Sequence, residues 1–150
     1  MNALKLLKKD HSIMRGLFGK FDRSGKSSHE KKAELFAEIR REWQIQSKAE
    51  EEIFYPALKA LNGEGRRLVA EALKEHKDID VLLTQISRLK PADRHFDEKM
   101  ETLIENVDQH VEEEGEIFRF AEENCSEEWL EELGRQVEQR KNILDRQMAA

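Results

Sequence analysis

Three histidines and two glutamates sit where a helical protein would ordinarily place apolar side chains. Leu4, Leu7, Met14, Phe18 and Phe21 recur at the three-to-four spacing of one helix face, and His11 fills the gap between Leu7 and Met14. His76 fills the same kind of gap in Val69, Ala72, Ile79, Leu83 and Ile86. A third stripe runs Phe96, Met100, Leu103, Val107, then His110 and Glu114, then Ile117 and Ala121. The fourth runs Leu35, Ile39, then Gln46 and Glu50, then Ile53, Ala57 and Leu61. An unpaired carboxylate in a core is costly, and two close together cost more. A single core histidine is more often a hydrogen-bonded structural residue, but three imidazoles and two carboxylates converging from four helices call for a compensating charge. A pair of metal ions supplies it, because neutral imidazole and carboxylate are natural ligands of iron, manganese and zinc. Bundle cores build dinuclear sites from inward Glu and His side chains in this way.

The chain also repeats itself. Residues 46–57, QSKAEEEIFYPA, align with residues 110–121, HVEEEGEIFRFA, and are identical at Glu50/Glu114, Glu52/Glu116, Ile53/Ile117, Phe54/Phe118 and Ala57/Ala121. Residues 8–18, KKDHSIMRGLF, align with 73–83, LKEHKDIDVLL, sharing Lys9/Lys74, His11/His76 and Leu17/Leu82. Each half is then a helix pair, and a pseudo-two-fold between the halves makes a nearly symmetric cage in which glutamates bridge and histidines cap. Gln46 breaks the symmetry, standing where the repeat expects a histidine.

Helices must position these groups. The 150 residues are 39% charged and 38% hydrophobic, rich in Glu, Lys, Leu and Ala, with seven glycines and two prolines. That is helix composition, and it supplies too few turns for a β-sandwich or barrel. The length suits one domain whose core stands without staples. Ser24-Gly25-Lys26-Ser27-Ser28 reads as a turn, with Ser27 and Glu30 as a capping box. Asn62-Gly63-Glu64-Gly65 is a second break, with glycine closing a helix, and Lys90-Pro91-Ala92-Asp93 a third. Ser126 caps a last helix whose first turn carries Glu127 and Glu128. The expected helices are about 3–23, 28–61, 65–89, 93–124 and 127–147. Pro56 should kink the second near Glu52. Short connections make the first four an up-down bundle, an all-α fold with a core over about 1–124. The amphipathic C-terminal helix (Trp129, Leu130, Leu133, Val137, Ile143, Leu144) packs along its outside.

Several function classes lose support. A net charge of −6 argues against nucleic-acid or membrane-surface partners, which favour a basic face. No apolar run approaches the roughly 18 residues that span a bilayer, and the N-terminal stretch does not read as a signal peptide. Cys125 has no partner, so a reducing, cytoplasmic setting is expected. No Gly-rich phosphate loop and no nucleophile flanked by a base is present.

The stretches LLKKDHSIMRGLF, QSKAEEEIFYPAL, EHKDIDVLL and HVEEEGEIF resemble the motifs of bacterial hemerythrin-like (HHE cation-binding) domains, and SEEWLEELGRQVEQRK resembles that family's closing helix. The resemblance spans nearly the whole chain. It implies a four-helix bundle around a non-haem centre of two irons, or one, with other divalent metals also admissible. Carried over, His11 binds one metal, His76 and His110 the other, and Glu50 and Glu114 bridge. The resemblance also marks Gln46 as a departure. Its carbonyl oxygen ligates, or a water fills the gap, or that metal binds weakly. Asp80 stands where oxygen-binding members often carry a further histidine. Tyr55 and Trp43 are expected beside the cage, mainly as packing, with Tyr55 also able to hydrogen-bond inward. Glu51, Glu52, Glu112 and Glu113 are expected on wet faces, with Glu113 the substitute for Glu114 if the helix is rotated. His29 and His95 are expected in solvent. The partner implied is a small diatomic molecule or peroxide, taken up by a monomer in oxygen binding, sensing or detoxification. The rivals are a di-metal oxidase or peroxidase acting on an organic substrate, and an iron-storage module with one metal.

Overall fold

The computed structural model describes residues 1–24 and 28–149, all of its regular structure helical. The first helix, α1, spans Ala3–Ser24, and α2 spans His29–Ala49. A π-turn, Glu50–Phe54, carries α2 without a break into α3, Tyr55–Lys59. Then come α4 (Gly63–Ser87), α5 (Arg94–Asn124) and α6 (Glu127–Ala149). The rods α1, α2–α3, α4 and α5 form the up-down bundle, α1 against α2 and α4 against α5, and α6 lies across α1 and α2.

The local signals act at the ends. Ser28, one residue beyond the expected cap, accepts a hydrogen bond from the Lys31 amide (3.0 Å), while the anticipated Ser27 cap lies outside the described residues. Asn62 caps α4 by accepting from Gly65 N (3.0 Å), so this break opens a helix where a glycine stop was expected. Gly65 serves a different end: a Cβ there would lie 2.3 Å from the Leu58 carbonyl oxygen. The bare backbone lets α4 pass α3 closely. Asp93 caps α5, and Ser126 Oγ accepts from Trp129 N at the head of α6.

Pro56 has a larger effect than a kink. It cannot donate to a carbonyl one turn back, and the chain widens into the π-turn before it, with Tyr55 N–H bonded to the Glu50 carbonyl five residues earlier. One extra residue per turn rotates everything that follows by about 100°. The expected inward set Ile53, Ala57, Leu61 is therefore displaced. Phe54, Tyr55 and Leu58 are fully buried in their place, and Leu61 is 38% exposed.

Two apolar clusters fill the bundle. One gathers Leu4, Leu7, Phe54, Val69, Ala72 and Ile117 with Leu130, Leu133 and Val137 of α6. The other gathers Met14, Leu35, Ile39, Trp43, Ile79, Leu83 and Val107. On every bundle helix the stripe passes from one cluster to the other through a polar residue. Those residues, His11, Gln46, Glu50, His76, His110 and Glu114, are all buried.

Candidate metal centre

Four of these side chains converge. Glu50 (π-turn), His76 (α4), His110 and Glu114 (α5) each offer a ligand atom, and the four atoms lie within 4.8 Å of one another. His110 and Glu114 are one helical turn apart, so Nε2 of the first meets Oε2 of the second at 2.9 Å. His11 Nε2 approaches the same carboxylate from α1, 3.3 Å from Oε1. Gln46 is buried in the same layer, and its amide nitrogen donates to the Asp10 carbonyl (3.2 Å) and to Glu42 (3.3 Å).

The ring nitrogens facing away from the centre are held by carboxylates. His76 Nδ1 contacts Glu51 Oε2 at 2.8 Å, and His110 Nδ1 contacts Glu75 Oε1 at 2.7 Å. A proton on each Nδ1 leaves Nε2 as the ligating atom. Those two Nε2 atoms face each other at 3.1 Å. Trp43 walls the pair edge-on, its ring 5.0 Å from His76 and 5.9 Å from His110. Its Nε1 donates to Asp80 Oδ1 (2.9 Å). Asp80 thus fixes the tryptophan and lies outside the cluster.

The phenol of Tyr55 reaches the middle of the cluster. Its hydroxyl lies 2.7 Å from Glu114 Oε2, 3.0 Å from Glu50 Oε2 and 3.2 Å from His76 Nε2. Burial beside two carboxylates holds the phenol well above its usual range, so it keeps its proton as a donor.

The carboxylates differ in charge state. Burial, then the charge of Glu114, pushes Glu50 well above the usual range and so favours its protonated form. Burial acts on Glu114 too, but hydrogen-bonding contacts from His11 and His110 outweigh it and hold this carboxylate well below the usual range. Burial also opposes the charging of His110, yet Glu114 and Glu75 overcome it and raise the imidazole to about 9. Glu114 Oε1, with His11 Nε2 3.3 Å away as an ion-pair contact, is buried and makes no well-formed hydrogen bond. Two opposed imidazole nitrogens, an acceptor with no donor and a buried carboxylate beside a second one are the features a cation resolves. It accepts every lone pair and displaces the protons. The donor set fits a transition-metal ion.

Sequence reasoning brought forward the cluster residues but underestimated their support. Glu51 was expected in solvent, and Glu75 was not singled out although it directly precedes His76. Tyr55 was expected mainly as packing. Its inward reach depends on the π-turn, whose only sequence signal is Pro56, six residues after the inward Glu50. Glu112 and Glu113 lie on the exposed face, as do His29 and His95.

The fold is an all-helical bundle whose buried His/Glu layer could hold a metal ion. Residues 2–121 match the hemerythrin HHE cation-binding domain family model, and the chain belongs to that family. Its fold is similar to the crystal structure of a hemerythrin HHE cation-binding domain-containing protein from Mycobacterium kansasii, with a TM-score of 0.83 and 27% identity over 96% of this chain and 87% of that one. Among curated proteins it is 27% identical over 149 residues to a DNA nickase of Nostoc sp. (strain PCC 7120 / SAG 25.82 / UTEX 2576). That alignment covers 99% of this chain and 41% of the nickase, so the chain spans less than half of that relative's length.

Proposed function

We propose that this chain holds a carboxylate-bridged pair of non-haem irons and reacts with dioxygen, peroxide or nitric oxide, in oxygen binding, sensing or detoxification. The observation that carries it is the opposed pair His76 Nε2 and His110 Nε2, 3.1 Å apart over the buried Glu50 and Glu114. Iron bound there supplies reversible one-electron chemistry and an open coordination position for a small molecule. The chain's own residues supply the rest. Glu50 and Glu114 would hold both ions between them, with His76 and His110 as nitrogen ligands on one side and His11 on the other. The Tyr55 hydroxyl holds a proton beside Glu114 Oε2, within reach of whatever enters. Leu7, Met14, Leu35, Ile79, Leu83 and Val107, each at most 3% exposed, exclude water and restrict entry to small molecules.

The proposal extends to a monomer acting in the cytoplasm. No helix among the described residues is long and apolar enough to cross a membrane. Nicking of DNA is not carried over from the Nostoc relative, because a net charge of −6 offers no general attraction to a polyanion.

Anaerobic loading with ferrous iron, elemental analysis and an optical spectrum after admitting air test the reading. Two irons per chain with new near-ultraviolet absorption support it. The tryptophan fluorescence, to which Trp43 packed on both histidines contributes, should fall as iron binds. Saturation below two irons, with no new absorption, overturns it.

A further inference from the structure

The internal repeat predicts two equivalent halves, and the structure builds them unequally. In the α4–α5 half both imidazoles are backed, His76 by Glu51 and His110 by Glu75, at 2.8 and 2.7 Å. Backing of this kind fixes the ring and raises its basicity, and losing it typically weakens metal binding about 10–100-fold.

The repeat equivalents in the other half have been spent elsewhere. Gln46 replaces the equivalent of His110, and its amide nitrogen is tied to Asp10 O and Glu42. Asp10, the equivalent of Glu75, is paired with Lys141 of α6. Gly115, the equivalent of Glu51, carries no side chain. His11 stacks on Phe118 (ring centroids 5.8 Å apart), and among the described residues no carboxylate lies against its Nδ1. One imidazole without backing and a neutral amide form a poorer donor set than two carboxylate-backed imidazoles. A further feature favours the first half. A groove of about 460 Å³ between α4 and α5 runs past Glu114 and is lined by Glu71, Glu75, Glu113 and Glu116 with Lys74; Arg67 pairs with Glu71 and Glu116, and the carboxylates still outnumber the two cations. The groove concentrates cations on the side where both histidines are backed.

We infer that the two metal positions are unequal: an ion held by Glu50, His76, His110 and Glu114 binds first and tightly, while the ion beside His11 and Gln46 binds second and exchanges readily. This rests on the paired-metal reading above and assigns the order and lability of its two ions.

The test is an anaerobic titration of the full chain with ferrous ion, followed by tryptophan fluorescence, with Trp129→Phe as the background that isolates Trp43, and by competition with a calibrated chelator. Wild type should fill in two steps whose dissociation constants differ by at least about tenfold, and dialysis should leave one ion per chain. Glu75→Gln should weaken the first step about 10–100-fold and leave the second nearly unchanged. Glu51→Gln, at a partly exposed position, should do the same and stands in if Glu75→Gln does not fold. Gln46→His should tighten the second step alone. Two steps of equal affinity in wild type, or a Glu75→Gln effect confined to the second step, overturns the inference while leaving the paired-metal reading intact. Saturation of wild type at one ion overturns the paired-metal reading and the second step with it. In that case Glu75→Gln must still weaken the single ion, or the assignment of the first position also falls.

Discussion

Raising the pH should loosen the metal-free protein, and His110 sets the window. Its imidazole ionises at about 6.5 in an unfolded chain and at about 9 in the fold, because Glu114 and Glu75 outweigh the cost of burial. The folded state therefore binds the proton more tightly. The resulting stabilisation is complete below pH 6.5 and is lost as the pH rises through about 9. At about 1.4 kcal/mol per pH unit for one proton, the interval is worth about 3 kcal/mol. Glu50, raised well above the usual carboxylate range by burial and the charge of Glu114, contributes with the same sign. Glu114, held well below it, is ionised throughout and adds no slope there. The assay is the urea midpoint at several pH values from 6.5 to 9.5 in the presence of chelator. The midpoint of wild type should fall steadily, and His110→Gln, which cannot take up a proton, should lose most of that dependence. A wild-type midpoint that does not fall, or a His110→Gln variant with the same decline, would refute the assignment. The same proton must leave when an ion binds, so metal affinity should climb across this window as stability falls.

Two further outcomes concern the scaffold. Gly65→Ala places a Cβ 2.3 Å from the Leu58 carbonyl oxygen and 3.2 Å from the Phe120 ring. It should cost about 2 kcal/mol by forcing α3 and α4 apart, read as a lowered melting temperature of the metal-free chain. Lys141→Met removes the cation paired with Asp10, a residue 2% exposed whose Oδ2 already has no hydrogen-bond partner. A loss of about 3 kcal/mol is expected, partly recovered by adding Asp10→Leu, with both variants compared by urea denaturation.

The ligand layer was legible because helical periodicity is local. A histidine one turn from apolar neighbours on the same stripe must point where they point, whatever surrounds the helix. His11, His76, His110 and Glu114 are buried where their stripes put them. The acidic runs also resolved as expected at Glu112 and Glu113, which remain in solvent. Glu51 departs from that pattern because its partner, His76, belongs to another helix, and no spacing within one segment encodes a contact between segments.

The sequence by itself determined which helices form, which face each buries and that imidazoles and carboxylates share one layer, since capping and periodicity act within a few residues. The tertiary structure alone decided three things. The π-turn before Pro56 moved Phe54, Tyr55 and Leu58 inward in place of Ile53, Ala57 and Leu61, because the fold of α3 against α4 rewards that register. Glu51 and Glu75 came to back the histidines of one half. Lys141, brought over by α6, claimed Asp10 in the other. Each depends on distances between helices, which arise only when whole faces pack, and so the repeat reads as broken at Gln46 alone while the site it builds is unequal in the support of its histidines as well.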